Sequence, residues 1–285
     1  MAVGPLGSLQ AGRLVRRHWL GLVLLLMAAI AVVAASNHHG TSRSPPIIGG
    51  VPTASAEYSW LAYVIDARPH GLIQCTGTVV APRWILTAGH CGIEPGTGRA
   101  DSAREFTVFT RSTGTAARLQ LQSAHVTRII VYPAYGRDIL APDVALLRLK
   151  AKVDAKPVVL DGHEAEANEG RIALLVGWRT SVDEMRVPST LEIASTVIQR
   201  SDWCRANALL FNATIDLCTI EPARLRTGIC DGDSGGPLVV LRAPMAPVEV
   251  GVASRATNHC TTRRPAIFTK VATVLSWIRA VTSVS

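Results

Sequence analysis

The sequence predicts an all-β domain, a sandwich or a barrel, closed by one C-terminal helix. Two observations carry this. From residue 47 onward, short runs rich in Val, Ile and Thr recur, separated by Gly, Pro, Asp and Asn. Such residues suit a pleated, half-buried surface, and no helical pattern alternates with the runs, which excludes a parallel α/β sheet. Only the end differs: Val271, Val274, Leu275 and Ile278 fall at i, i+3, i+4 and i+7, one buried face of a helix.

Taken in order, the runs are "WLAYVI" (60–65), "LIQCTGTVV" (72–80), "RWILTA" (83–88), "VALLRL" (144–149), "IALLVGW" (172–178), "LEIASTVI" (191–198) and "VEVGVAS" (248–254). The most polar connection, "DAKPVVLDGHEAEANEG" (154–170), reads as a crossover between two halves.

Upstream, an arginine-bearing segment precedes an apolar run from Trp19 to Ala35, and small residues Ala34, Ala35 and Ser36 offer a cleavage site. This is the pattern of a signal peptide over residues 1–36. The run also approaches the length of a membrane span, so an uncleaved anchor is the alternative. In both cases the body of the chain leaves the cytoplasm. It is expected to be secreted, or held at the outer face of the membrane if the leader stays.

A formal charge of +8 invites a nucleic-acid reading, but four of the 29 basic residues (Arg13, Arg16, Arg17 and Arg43) lie in residues 1–46, which hold no acid. The other 25, against 21 acidic residues, leave +4 and no basic stripe interleaved with aromatics. A mildly basic domain with no nucleic-acid partner is expected. Six cysteines, Cys75, Cys91, Cys204, Cys218, Cys230 and Cys260, are even in number and lack CxxC spacing. In an exported chain they read as disulfides rather than zinc ligands, with fifteen connectivities open.

The chemistry concentrates in "GICDGDSGGP" (228–237). A serine hydroxyl is a poor nucleophile at neutral pH unless a base lies within hydrogen-bond reach and a third group orients that base. Histidine suits the base, and backbone N–H groups beside glycines suit the oxyanion. "WILTAGHC" (84–91) places His90 at the end of an apolar run, and "APDVALLRL" (141–149) places Asp143 at the mouth of another.

With "IIGG" (47–50), "CTGTVVAPRWILTAGHC" (75–91), "IIVYPAY" (129–135), "DVALLRL" (143–149), "VGW" (176–178), "CDGDSGGP" (230–237) and "PAIFTKV…WI" (265–278), the chain resembles the chymotrypsin-like (trypsin family) serine proteases over nearly all of residues 47–285. The order His, Asp, Ser is that family's. The resemblance implies two six-stranded antiparallel β-barrels with a C-terminal helix and the active site between them. It implies Ser234 as nucleophile, His90 as general base and acid, and Asp143 as orienter of the imidazole. It also implies an oxyanion hole from the N–H groups of Gly232 and Ser234, and Ser254 as support for the aspartate. The cysteines would pair Cys75–Cys91, Cys204–Cys218 and Cys230–Cys260. Residues 37–46 would be a short propeptide, after whose removal Ile47 inserts and pairs with Asp233. No tryptic site precedes Ile47, since the preceding residue is Pro46.

The specificity pocket would be formed by Gly228, Ile229, Ser254, Ala256 and Ala266. Without an acid at Gly228, and with alanines on the walls, small or medium aliphatic side chains are the expected preference. Gly89 stands where the family usually has alanine, Arg179 where it has glycine, and Arg255 where it has an aromatic. Arg255 either faces the cleft and favours acidic substrate groups or is a solvated surface residue. No metal and no cofactor are expected. The expected partners are polypeptide substrates and protein protease inhibitors, and the expected state is a monomer. Two other classes compete. A catalytically dead binding module would lose a triad residue, whereas all three are present, and a fluorophosphonate label on Ser234 separates the two. A serine esterase of the α/β-hydrolase fold would carry its serine first, ahead of the acid and the histidine, whereas Ser234 comes last here.

Overall fold

A computed structural model describes residues 47–53, 55–68, 71–94, 98–111, 121–136, 138, 141–162, 166–178, 190–244, 246–256 and 260–283. The leader, the propeptide and Arg179 lie outside the described residues. Among the described residues no helix is long and apolar enough to cross a membrane.

The strands in chain order are β1 (Val51–Thr53), β2 (Leu61–Arg68), β3 (Gly71–Ala81), β4 (Trp84–Thr87), β5 (Phe106–Arg111), β6 (Leu121–Val131), β7 (Ala145–Leu149), β8 (Val159–Leu160), β9 (Ile172–Trp178), β10 (Leu191–Ile198), β11 (Asp216–Ile220), β12 (Pro237–Arg242), β13 (Ala246–Ala256) and β14 (Ala266–Lys270). They close into two six-stranded barrels. The first runs β2-β3-β4-β7-β6-β5. The second runs β10-β11-β14-β13-β12-β9 and closes through the β9–β10 pairing, with β1 added to β10 and β8 lying parallel to β13. The predicted crossover is the connection from β7 to β9, and it contributes β8 on the way.

The pleat explains the patterning. Along β5 the inward residues Phe106, Val108 and Thr110 are buried and alternate with partly exposed Thr107, Phe109 and Arg111. The first barrel fills with residues such as Leu61, Tyr63, Ile85, Phe106 and Leu147, the second with Leu175, Leu238, Val250 and Phe268. The C-terminal helix (Val271–Thr282) buries the predicted face Val271, Val274, Leu275 and Ile278. Three of these join Trp84, Leu86, Val144 and Leu146 of the first barrel and Val252 of the second, so the helix fastens the two barrels together. One helix escaped the sequence reading: Ser201–Asn207, two turns long, too short for a periodic stripe and held by the bridge from Cys204 to Cys218. The cysteines pair as the resemblance implies, Cys75–Cys91, Cys204–Cys218 and Cys230–Cys260, and no free thiol remains among the described residues.

Candidate active site

Each candidate residue sits where a strand ends. His90 lies in a single 3-10 turn, Gly89–Gly92, directly after β4. The Cys75–Cys91 bridge ties that turn to β3. Asp143 lies two residues before β7, the strand paired with β4, so antiparallel pairing brings the two side chains to one end of the first barrel. The His90 N–H donates to Asp143 Oδ1 at 2.9 Å, and Nδ1 lies 2.8 Å from Oδ2. These two contacts fix both the backbone and the ring of His90 on one carboxylate, and they favour the tautomer with Nδ1 protonated.

Asp143 is buried and well satisfied. Ser254 Oγ donates to Oδ2 at 2.7 Å, and Tyr135 also hydrogen-bonds the carboxylate. Burial would lift the Asp143 carboxyl, but the charge and hydrogen bonds of His90 and the bond from Ser254 hold it below the usual range. Burial would lower the imidazole of His90, and the Asp143 charge and hydrogen bond outweigh it, leaving the ring more basic than usual.

Ser234 is half-buried and lines two cavities. One, of about 350 Å³, it shares with His90, Cys75 and Gly232. The other, of about 320 Å³, it shares with Ile229, Ser254, Arg255, Ala256 and Cys260. The turn around it is held from β3: Thr76 Oγ1 donates to the Gly232 carbonyl and the Thr76 N–H to the Ser234 carbonyl, both at 2.8 Å. Gly232 and Gly235 adopt φ of 93° and 78°. At Gly235 a methyl would also overlap the Thr87 hydroxyl and the Thr76 carbonyl, so the turn admits only glycine there.

Of the predicted pocket residues, Ile229, Ser254 and Ala256 line the second cavity. Gly228 and Ala266 are buried beyond that lining. Gly228 exchanges backbone hydrogen bonds with Ile48, and Ala266 is paired within β14 to Ala256 and Thr219. Ile47 is buried, and a methyl at Gly177 would overlap Asp233 Oδ1 and lie 2.9 Å from Ile47 Cγ1, so the two side chains converge over that glycine. Asp233 Oδ2 accepts from the Cys230 N–H at 2.8 Å, whereas Oδ1 has no hydrogen-bond partner among the described residues. Burial drives its carboxyl well above the usual range despite the Cys230 bond, and Glu192 and Asp231 push the same way.

Arg255 lines the cavity beside Ser234 and the one that His90 and Asp143 share, and its guanidinium is also bonded within the fold. Its Nη2 donates to Asp216 Oδ2 and to the Leu210 carbonyl, both at 2.7 Å, and its Nη1 to Ser254 Oγ at 3.2 Å. The guanidinium is therefore engaged from within the fold. Sequence reasoning gave no role to Tyr135, Thr76 and Asp216. Tyr135 and Thr76 stand inside motifs quoted above, but Asp216, 39 residues from Arg255, carries no local signal. The departure at Gly89 has a steric cause: a methyl there would sit 2.7 Å from the Tyr135 ring and 3.0 Å from Asp143 Oδ1.

A buried carboxylate, an imidazole anchored to it and a serine on the same cleft, carried on two β-barrels, define a hydrolase of the serine class. More particularly, the Trypsin family model matches residues 47–278, and the chain belongs to that family; the protein is a serine endopeptidase. It is 28% identical to mouse (Mus musculus) cathepsin G over 237 residues, covering 82% of this chain and 84% of that protein. It is 28% identical to rat (Rattus norvegicus) granzyme B over 239 residues, 82% of this chain and 90% of that protein. Human (Homo sapiens) transmembrane protease serine 5 is 31% identical over 242 residues, 81% of this chain and 50% of that protein.

Proposed function

We propose that the protein is an exported endopeptidase that cleaves after small or medium aliphatic residues through Ser234, His90 and Asp143, and that it is made as a zymogen. The observation that carries the reading is His90, held on Asp143 by two hydrogen bonds and facing a cavity shared with Ser234. In this mechanism Nε2 of His90 takes the Ser234 proton as Oγ attacks the scissile carbonyl. The N–H groups of Gly232 and Ser234 stabilise the oxyanion, and His90 returns the proton to the leaving amine. Water then repeats the sequence on the acyl-enzyme. Asp143 stays ionised throughout, as its depressed pKa requires.

The pocket reading rests on the cavity beside Ser234. Its lining includes Ile229 and Ala256, and its one carboxylate, Asp231, is exposed, so a Lys or Arg side chain would enter without a buried partner. The zymogen reading rests on Asp233 Oδ1. A new ammonium at Ile47 would give that buried oxygen a charge partner, and a buried pair of this kind works as a switch. Three disulfides suit an oxidising compartment outside the cytoplasm. The test is to label protein beginning at Ile47 with a fluorophosphonate and to assay peptide hydrolysis. Labelling and turnover that vanish in Ser234→Ala are expected, and turnover that survives in that variant refutes the assignment.

A further inference from the structure

We infer that Arg255 and Asp216 form a positioning pair for the candidate triad, acting through Ser254 to set the orientation of Asp143 and the pH at which His90 works. This rests on the triad reading above and extends it to two residues outside it.

Ser254 Oγ has a single proton and lies 2.7 Å from Asp143 Oδ2 and 3.2 Å from Arg255 Nη1. A guanidinium only donates, so Oγ must accept from it. The hydroxyl proton is then committed to Asp143, and the chain of donation runs Arg255 to Ser254 to Asp143. Without Arg255 the hydroxyl loses the donor to its lone pair, and the Asp143 contact alone orients it.

Asp216 keeps the arginine in place. Its side chain is 2% exposed, it accepts from Arg255 Nη2 at 2.7 Å, and it takes the Asn212 N–H at 3.0 Å. Arg255 thus lies between two buried carboxylates, one bonded directly and one through Ser254. Burial pushes the Asp216 carboxyl up and the Arg255 charge pulls it down, while Asp143 acts on it in the opposite sense. The two acids sense each other across the cation.

Among the other titratable groups facing this cluster, Asp231 lines a cavity with Ser254 and Arg255, and Asp161 and Glu169 line one with Asp216. Tyr135 hydrogen-bonds Asp143 and feels the charge of Arg255. Asp138 lines the cavity that His90, Asp143 and Arg255 share. Lys270 lines a cavity with Asp216, but its ammonium is bonded to the Ala213 carbonyl at 2.7 Å. Arg255 is therefore the cation directly bonded between the two acids.

The sign of the effect follows. Removing Arg255 takes a cation away from the triad and leaves Asp216 without its charge partner; the lost cation, and any negative charge that Asp216 keeps, favour the imidazolium form of His90. Removing both charges cancels most of that shift and leaves only the lost hydrogen bond to Ser254. The variants are Arg255→Met, Arg255→Lys and the double variant Arg255→Met/Asp216→Asn, in protein beginning at Ile47. The double variant keeps an acceptor for the Asn212 N–H, and Arg255→Lys keeps the ion pair, so the question stays answerable if Arg255→Met does not fold.

On neutral peptides, Arg255→Met should lose about 3- to 10-fold in kcat, with KM changed less than about twofold, which corresponds to one lost hydrogen bond. The acidic limb of its kcat/KM profile should move up by about half a pH unit to one unit. Arg255→Lys should recover the midpoint but only part of kcat. The double variant should return the midpoint toward wild type with kcat still low. Wild-type kcat and midpoint in folded Arg255 variants would overturn the proposal. So would a loss confined to KM on acidic peptides, or a double variant whose midpoint stays displaced. Failure of the protease reading is separate: the unmodified protein would then neither hydrolyse peptides nor label at Ser234.

Discussion

Gly177→Ala tests the activation pocket with a single methyl group. Gly177 lies in β9 and pairs with Glu192 of β10 through its backbone, which an alanine can do equally well. The methyl, however, would overlap Asp233 Oδ1 and lie 2.9 and 3.0 Å from Ile47 Cγ1 and Cδ1. Carbon atoms pack best at about 3.5–4.0 Å, so both neighbours must move. Overpacking of this kind costs about 1–3 kcal/mol. If that cost falls on the seating of Ile47 against Asp233, the competent fraction drops by the matching factor, roughly 5- to 150-fold in kcat/KM. The assay is kcat/KM with active-site titration on protein beginning at Ile47, with Gly162→Ala as control, because a methyl at Gly162 meets Leu275 at an ordinary 3.5 Å. The reasoning is refuted if Gly177→Ala titrates fully and turns over within twofold of its parent.

Further outcomes are expected. Ser234→Ala and His90→Ala should each abolish hydrolysis to a similar extent, because the triad acts as a unit, while circular dichroism stays native. Since His90 is more basic than usual, kcat/KM should rise with pH through a midpoint above 6.5, and a flat profile from pH 6 to 8 would count against His90 as the base. In a chromogenic series, Ala, Val or Leu before the cut should give the highest kcat/KM; a maximum on Lys or Arg would contradict the charge argument and one on Phe the shallow-pocket argument. Glu249 is fully buried in β13, and burial pushes its carboxyl to about 8 against an ordinary 4.5. The folded state therefore keeps a proton that the unfolded chain releases, so this residue's cost is absent below 4.5 and grows as pH rises toward 8. Glu249→Gln should be more stable than its parent by about 3 kcal/mol at pH 7 and equal to it near pH 4, by denaturant titration; parallel curves would exclude a buried neutral acid.

What the sequence determined by itself was everything written in local pattern. β9 and β10 coincide with the runs "IALLVGW" and "LEIASTVI", because alternation and flanking turn residues are properties of the strand itself. The helix face at Val271, Val274, Leu275 and Ile278 was legible for the same reason. His90, Asp143 and Ser234 stood out because each lies in a distinctive motif at a strand end, and their order identified the family before any contact was known. The pairing of the cysteines came through that resemblance, since spacing alone left fifteen choices. Other features required tertiary structure. Arg255 meets Asp216 because β13 and β11 flank β14, an adjacency that no periodicity encodes. Gly89 is explained by the Tyr135 ring, 46 positions downstream in the sequence, and Glu249 by burial on a strand whose apolar and polar residues look ordinary in one dimension. The cavity beside Ser234 takes in Ile229 and Ala256 but stops short of Gly228 and Ala266, because cavity depth depends on how whole strands pack. Propensity and turn chemistry act over a few residues, whereas excluded volume and charge pairing act between whatever the closed barrels bring together.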